Sequence, residues 1–577
     1  MTQHDPQAPS TAPLEPAGGA PSRRTLLAGS AAGGAALTGG LVLGAAAPAG
    51  AAAPRRASRA MFAHGVASGD PHPRSVILWT RVTPTAASRP GSRKGPRVEV
   101  SWEVATDARF RDVVRRGRLT TGGFRDHTVK VEADRLDPAT DYWYRFTCRG
   151  VRSPVGRTRT APAPRARVRS LRWGVVSCSN LQAGWFSAYR HLADRDDLDL
   201  ILHLGDYLYE YAPGEYGYGN AERDIRPHDP PREMVGLADY RRRHAQYKTD
   251  RDLQRLHARY PFVVTWDDHE TTNDAWRHGA ENHSADEGAF KRRKRRAHRA
   301  YDEWMPVRMG RTGSAGLKDG RRLFRRLAFG QLAELTMLDL RSYRSLQSRT
   351  AVSDPERTIT GQQQMDFLKA SLDERRAQWK LIGNPVMITP VVFPPLPADL
   401  TAQVNDVTGL LPEDGVPYNV DQWDGYTADR REVLRHIADE SVRNTVFLCG
   451  DIHSSWANDV PLDAGAYPAE IGRSVATEFV CTSVTSNNLD DITGSPEGTT
   501  SRAVEQAFTT SNRHVKFLDF DLHGYSVLDV SPRRAQMDYF VISDRADRGA
   551  TSRLLASWAT DADTQAVRPA ATPLRER

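Results

Sequence analysis

Five short apolar runs in this chain end in residue types that bind metals or move protons. "LRWGVVSCSN" delivers Cys178, "LDLILHLGD" delivers Asp206 with Tyr209 three residues on, and "RYPFVVTWDDHE" delivers Asp267, Asp268 and His269. "QWKLIGNPVMI" carries Asn384, and "NTVFLCGDIHSSW" carries Asp451 and His453. Taken singly, an aspartate after glycine caps a helix or closes a turn, and a tyrosine plugs a core edge with its hydroxyl outward. Repeated at five run ends, the pattern points elsewhere, because open α/β sheets gather their ligands at the carboxyl ends of the strands. Thiolate and phenolate favour a trivalent or soft transition metal, whereas carboxylate and amide oxygens suit hard cations such as calcium.

The elements that position these residues are legible in outline. Runs of four to eight apolar residues ending in polar chemistry read as buried strands, here expected in one sheet. "GQQQMDFLKASLDERRAQWK" (361–380) sets Met365, Leu368, Leu372 and Trp379 on one helical face. "FKRRKRRAHRAYDEWM" (290–305) is strongly basic, yet Phe290, Ala297, Tyr301 and Trp304 fall on a helical stripe, so it reads as a solvated amphipathic helix rather than a nucleic-acid tract. Before residue 160 the texture is β. "VEVSWEVATD" (98–107) alternates, and "LDPATDYWYRFTC" (136–148) spaces Leu136, Pro138, Thr140, Tyr142 and Tyr144 as in the late strand of a fibronectin-III-like sandwich, where a tyrosine ties a corner. The fold class expected is α/β, with a β-sandwich over 54–165 and, after the linker "TAPAPRARVRS", a catalytic domain of layered sheets flanked by helices over 166–577.

At 577 residues the chain exceeds one ordinary core, and 39% hydrophobic with 26% charged residues is the composition of a globular protein. The first 53 residues stand apart. Arg23-Arg24 precede an uncharged Gly/Ala-rich stretch that ends in an Ala-x-Ala site, the pattern of a twin-arginine signal peptide. Too few Leu and Val residues are present for a good membrane span. The implied partner is the twin-arginine translocation machinery, and the implied location is extracellular or on the cell wall. Residues 1–53 hold two basic and two acidic residues, so the remainder keeps the net charge of +8, an excess suited to anionic substrates. Cys148, Cys178, Cys449 and Cys481 lie far apart without a CxxC pair, so no disulfide framework is expected.

The order of the five tips resembles the calcineurin-like metallophosphoesterases, with each usual motif altered. Cys178 stands where the first aspartate is expected, Gly205-Asp206 is kept, Asp267-Asp268-His269-Glu270 replaces GNHE, Asn384 takes the place of a histidine, and "GDIH" (450–453) replaces GHxH. Together with "GVASGDP" (65–71) and "WDGY" (423–426), this set is similar to the PhoD-type alkaline phosphatase and phosphodiesterase family from Ala60 to about Ile542. The resemblance implies a ferric ion (Fe3+) held by Cys178, Asp206, Tyr209 and His453. It implies calcium (Ca2+) on Asp206 as bridge, Asp268, Asn384 and Asp451, with Asp267 as a possible extra ligand. His269 is placed to hydrogen-bond the phosphoryl group or leaving oxygen, and Arg341 is a candidate phosphate clamp or a surface ion pair. The function implied is a secreted, monomeric alkaline phosphatase acting on phosphate monoesters, with diesters as a possible further substrate and no nucleic-acid partner beyond possible substrate. A phosphodiesterase or phospholipase D-like enzyme on the same scaffold is the rival, and a non-catalytic cell-wall binding protein is the reading outside enzymology.

The twin-arginine reading is checked by the mass of the exported protein. Cleavage is expected near Ala51 to Ala53, and an exported form retaining residues 1–50 would overturn it.

Overall fold

The computed structural model describes residues 52–309, 322–348, 351–374, 376–393, 395–408, 415–467 and 474–576. The twin-arginine motif and almost all of the expected signal segment lie outside the described residues. No helix of the described residues is long and apolar enough to cross a membrane.

Two sheets packed face to face form the centre. In the first, Leu171–Val176, Leu200–His203 and Pro261–Val264 run parallel, and Gly524–Val530, Arg534–Ile542, Ser552–Asp561 and Val567–Pro569 extend one side antiparallel. In the second, Ala333–Met337, Trp379–Asn384, Thr445–Cys449 and Ser474–Val480 are parallel neighbours. Between them lies an apolar layer, with Trp173, Val175, Leu202 and Val263 facing Leu335, Met337, Leu381, Leu448 and Phe479. Strands buried on both sides need continuous apolar sequence, which is why these runs do not alternate. Outer helices close the layers. Ser187–Asp194, Arg251–Arg259 and Phe290–Trp304 cover the first sheet, and Gln362–Leu372 and Thr427–Asp439 cover the second.

Two expectations are corrected here. The site-bearing strands divide between the two sheets, three in the first and two in the second, rather than sharing one. Length and apolarity mark a buried strand but carry no information about its ladder partner. The helix expected over 361–380 stops at Leu372, and Trp379 opens a strand instead, its indole N–H donating to the Ser531 carbonyl at 2.8 Å. The basic helix follows its stripe, burying Phe290, Ala297, Tyr301 and Trp304.

At the N-terminus, Val98–Ala105, Val113–Thr121, Asp141–Cys148, Val151–Arg152 and Gly156–Arg159 form a small sheet. Its apolar face, including Val100, Val104, Tyr144 and Phe146, packs on Val66, Val76, Leu78 and Val129. The Tyr142 hydroxyl accepts the Asp137 amide at 2.8 Å, the corner tie that the spacing predicted. The opposing layer is Val66–His72, Ser75–Arg81 and Thr128–Ala133, and these strands continue the first central sheet through the parallel pairing of Val66–His72 with Pro261–Val264.

"GVASGDP" lies at that junction. A β-carbon on Gly69 would stand 2.6 Å from the Phe262 carbonyl oxygen and closer still to that of Pro306, so only glycine allows this approach. Asp70, fully buried, accepts from Arg325 at 2.5 Å and from the Arg308 amide at 2.6 Å. Asp70→Ala leaves the largely buried Arg325 guanidinium with the carbonyls of Leu323 and Val264 but without its carboxylate, a loss of about 3 kcal/mol. The expected outcome is a thermal unfolding midpoint several degrees below that of the parent, and an unchanged midpoint would show that the tie is dispensable.

Candidate metal centre

The five strand ends converge on one cleft. Cys178 follows Leu171–Val176, Asp206 follows Leu200–His203, and Asp267 and Asp268 follow Pro261–Val264. Asn384 ends Trp379–Asn384 opposite Cys449, and Asp451 comes two residues after that cysteine. The turns that make this possible are backbone specialities. Cys178, Asp206, Asp451 and His453 all have left-handed backbone, with φ of 57°, 54°, 67° and 49°. Each costs a non-glycine residue energy, and such residues concentrate at functional sites. Gly205 brings two tips together, since a β-carbon there would lie 2.6 Å from that of Asp267. Gly450 does the same on the facing sheet, where a β-carbon would lie 2.5 Å from that of Ser177.

Asp206 is the hub. Its ligand atoms lie within 4.8 Å of those of Cys178 and His453, of Asp268 and His269, and of Asp267 and Asp451. Tyr209 joins the first group, its hydroxyl donating to Asp206 Oδ2 at 2.9 Å and lying 3.3 Å from His453 Nε2. Ser486 Oγ donates to the same phenol oxygen at 2.7 Å. His453 Nδ1–H donates to the Asn487 carbonyl at 2.8 Å, which turns the Nε2 lone pair toward the cluster, the usual way of orienting a ligating imidazole. Burial pushes His453 down to about 4, so the ring is neutral near pH 7.

The two adjacent aspartates differ. Both oxygens of Asp267 accept from Arg341, at 2.5 and 2.9 Å. Asp268 Oδ2 accepts the Asp274 amide at 2.7 Å, while its Oδ1 is buried without a partner. Asp206 Oδ1 is orphaned in the same way. Leaving a buried acceptor unmatched costs roughly 1–3 kcal/mol, and more when it is charged. Burial first, and then the neighbouring carboxylates, push Asp206 and Asp451 well above the usual carboxylate range. The thiol of Cys178 rises for the same reasons. A set of crowded carboxylates, a thiol, a phenol and an oriented neutral imidazole, with two orphaned oxygens, fits bound cations.

Arg341 is neither exposed nor free. Only 3% of its side chain is accessible, and besides Asp267 it reaches Asp421 at 2.7 and 2.8 Å and Asp451 at 3.4 Å. It is a cross-tie between carboxylates of both sheets. His269 Nδ1 donates to Glu210 Oε2 at 2.8 Å. Burial works against charge on His269, but Asp268, Glu210 and Asp206 outweigh it and hold the imidazole well above its ordinary range. Glu210, burial notwithstanding, is lowered by His269 to about 2.

Several supporting residues escape a reading of the sequence. Glu270 accepts the amides of Tyr207 at 2.6 Å and Asp267 at 2.9 Å, locking two tips together. Asp421 also pairs with Arg344 at 2.7 Å. "WDGY" is the one signal that was visible. Trp423 Nε1 donates to Asn384 Oδ1 at 3.1 Å, and Asp424 pairs with Arg430. The cleft opens as a cavity of about 430 Å³ bordered by Asp268, His269, Asp451, His453 and Asn487. All four cysteines are free and buried.

Comparison with known proteins agrees with this arrangement. The family model for PhoD-like phosphatase matches residues 173–539, and that for the PhoD-like phosphatase N-terminal domain matches 46–162. Alkaline phosphatase D of Bacillus subtilis (strain 168) is 36% identical over 517 residues, covering 88% of this chain and 82% of that protein. The solved structure of PhoD superposes with a TM-score of 0.76 at 33% identity, over 89% of this chain and 93% of that one. A mixed α/β architecture, a cleft of metal-binding side chains and family matches on both sides of the linker lead to one conclusion: the chain belongs to the PhoD-like phosphatase family and is a phosphoric ester hydrolase.

Proposed function

We propose that the protein is a secreted alkaline phosphatase that hydrolyses phosphate monoesters, using a ferric ion on Cys178, Asp206, Tyr209 and His453 and calcium on Asp206, Asp268, Asn384 and Asp451. The observation that carries this reading is the sharing of Asp206 among three groups of ligand-type side chains, the position of a bridge. Bound there, the cations would neutralise the phosphate oxygens and lower the pKa of a water. The chain's own residues do the rest. Asp268, with one oxygen unmatched, is favoured over Asp267, whose two oxygens are engaged by Arg341. Arg341 holds Asp267 and Asp451 in register and is therefore a positioning residue rather than a phosphate clamp. His269, fixed by Glu210 and bordering the cleft, presents its second ring nitrogen as a donor to the phosphoryl group or leaving oxygen. Inward-turned tyrosines narrow the cleft, with the ring centroid of Tyr209 4.1 Å from that of His269 and Tyr216 stacked on Tyr209 at 5.9 Å.

The decisive measurement combines metal content with hydrolysis of an aryl phosphate and the matching diester, with phosphate and alcohol both quantified. A calcium-selective chelator is expected to abolish monoester turnover and added calcium to restore it. Full turnover after verified calcium removal would overturn the calcium assignment, and faster cleavage of the diester would favour the phosphodiesterase reading.

Iron has its own signature. Phenolate and thiolate donors give a ferric ion visible charge-transfer absorption, so the purified protein is expected to be coloured. Tyr209→Phe is expected to lose or shift the band with the fold intact, because the ring still packs. Cys178→Ser is expected to weaken iron retention by exchanging a soft thiolate for a poor donor. A colourless, fully active and metal-loaded parent protein would place another metal in that position.

A further inference from the structure

A second cavity, of about 480 Å³, lies outside the metal cleft between the basic helix Phe290–Trp304 and the start of the helix Gln362–Leu372. Its lining is one-sided in charge. Arg277, Lys291, Lys294 and Arg295 border it, and among the described residues no aspartate or glutamate does. Of these, Arg277, Lys291 and Arg295 take part in no ion pair among the described residues. The positive charge is felt locally, since desolvation and then the cations of Arg277 and Lys294 hold His278 below its ordinary value.

Neutral donors add to the cations. The helix Gln362–Leu372 begins at the cavity wall, its N-cap Gly361 offers no side-chain cap, and the amides of Gln362 and Gln363 have no acceptor of their own among the described residues. Those amides and the helix dipole favour an anion. Ser342, 2% exposed, also lines the cavity, and its Oγ is buried without a partner. Phe290 and Tyr343 add apolar surface to a wall otherwise completed by His278, His298, Thr360 and the glutamines of the helix start. A bare phosphate would leave most of this space empty, whereas organic ligands occupy pockets of about 300–1,000 Å³.

We propose that this cavity binds an organic phosphate anion, its charged group at Lys291, Arg295 and the Gln362 end of the helix and its apolar body against Phe290 and Tyr343. The site is a near neighbour of the metal cleft. Ser342 and Tyr343 directly follow Arg341, and the Arg277 amide donates to the Arg344 carbonyl at 2.9 Å. Two sources of the same chemistry are available: a distal phosphate of the substrate being cleaved, or a separate organophosphate molecule.

Titration calorimetry of the metal-loaded full chain with phenylphosphonate, an aryl phosphate mimic that is not turned over, tests the proposal. The comparison is with Lys291→Glu/Arg295→Glu, two exposed positions whose change leaves the core untouched. The variant is expected to bind one equivalent fewer than the parent while hydrolysing a small aryl phosphate at a rate within about twofold. Equal stoichiometry and affinity in the two proteins would overturn the proposal. Turnover of a phosphodiester oligomer that ends in a phosphate monoester separates the sources. A fall of about tenfold in kcat/KM for the oligomer alone assigns the cavity to the distal part of one substrate, and unchanged oligomer turnover with the lost equivalent assigns it to a separate molecule. Because the stoichiometry is read without turnover, a failure of the hydrolytic reading of the metal cleft leaves this result interpretable.

Discussion

Asp206, Asp267, Asp268, Asp421 and Asp451 crowd five carboxylates into one largely buried cleft, and their mutual repulsion is the constraint that the surrounding structure answers. Two like charges 4.8 Å apart repel by about 3 kcal/mol at an effective dielectric constant of 20, and Asp206 has several such neighbours. Arg341 and Arg344 supply two positive charges, and both are themselves buried, so each guanidinium is tied to the cluster as firmly as the cluster is tied to it. His269 and Glu210 balance each other. The protein's own cations therefore fall short of its carboxylates, and the proposed metal ions make up the difference. In this view the arginines are as much part of the centre as its ligands, because they decide which oxygens remain open.

Holding such a cluster requires a scaffold that does not yield. Parallel strands from two sheets aim their ends at one point, and the apolar layer between the sheets fixes the distance between those ends. Left-handed turns at Cys178, Asp206, Asp451 and His453 then bend each side chain inward, at a cost of roughly 1–3 kcal/mol apiece. A fold with two separate sheets supplies ligands from opposite sides of the cleft, which one continuous sheet with all its tips in a row would do less readily.

The strand ends were legible because each is a short apolar run that stops in polar chemistry, and Cys178, Asp206, Asp268, Asp451 and His453 all stand at one of them. The allocation of strands to two sheets was not legible, since it depends on ladder partners. Trp379 shows the same limit, suiting a helical face by spacing yet opening a strand once paired with Ala333. The motifs "GVASGDP" and "WDGY" could be seen as signatures, but not for what they do. One joins the N-terminal layer to the central sheet, and the other steadies Asn384 through an indole N–H. Arg341 was noticed for its type, whereas Asp421, its partner, sits in an irregular stretch with no periodicity to mark it.

The first central sheet draws its strands from both ends of the described chain. Val66–His72 joins it on one side, and Gly524–Val530 pairs with Leu171–Val176 on the other. During synthesis Leu171–Val176 therefore waits, with an unpaired edge, until Gly524–Val530 has emerged. An edge of that kind is a template for pairing with other chains, and sheets closed by such distant partners form slowly. The turn at Cys178 is thus framed by a strand that arrives long after it, and the cleft is completed late.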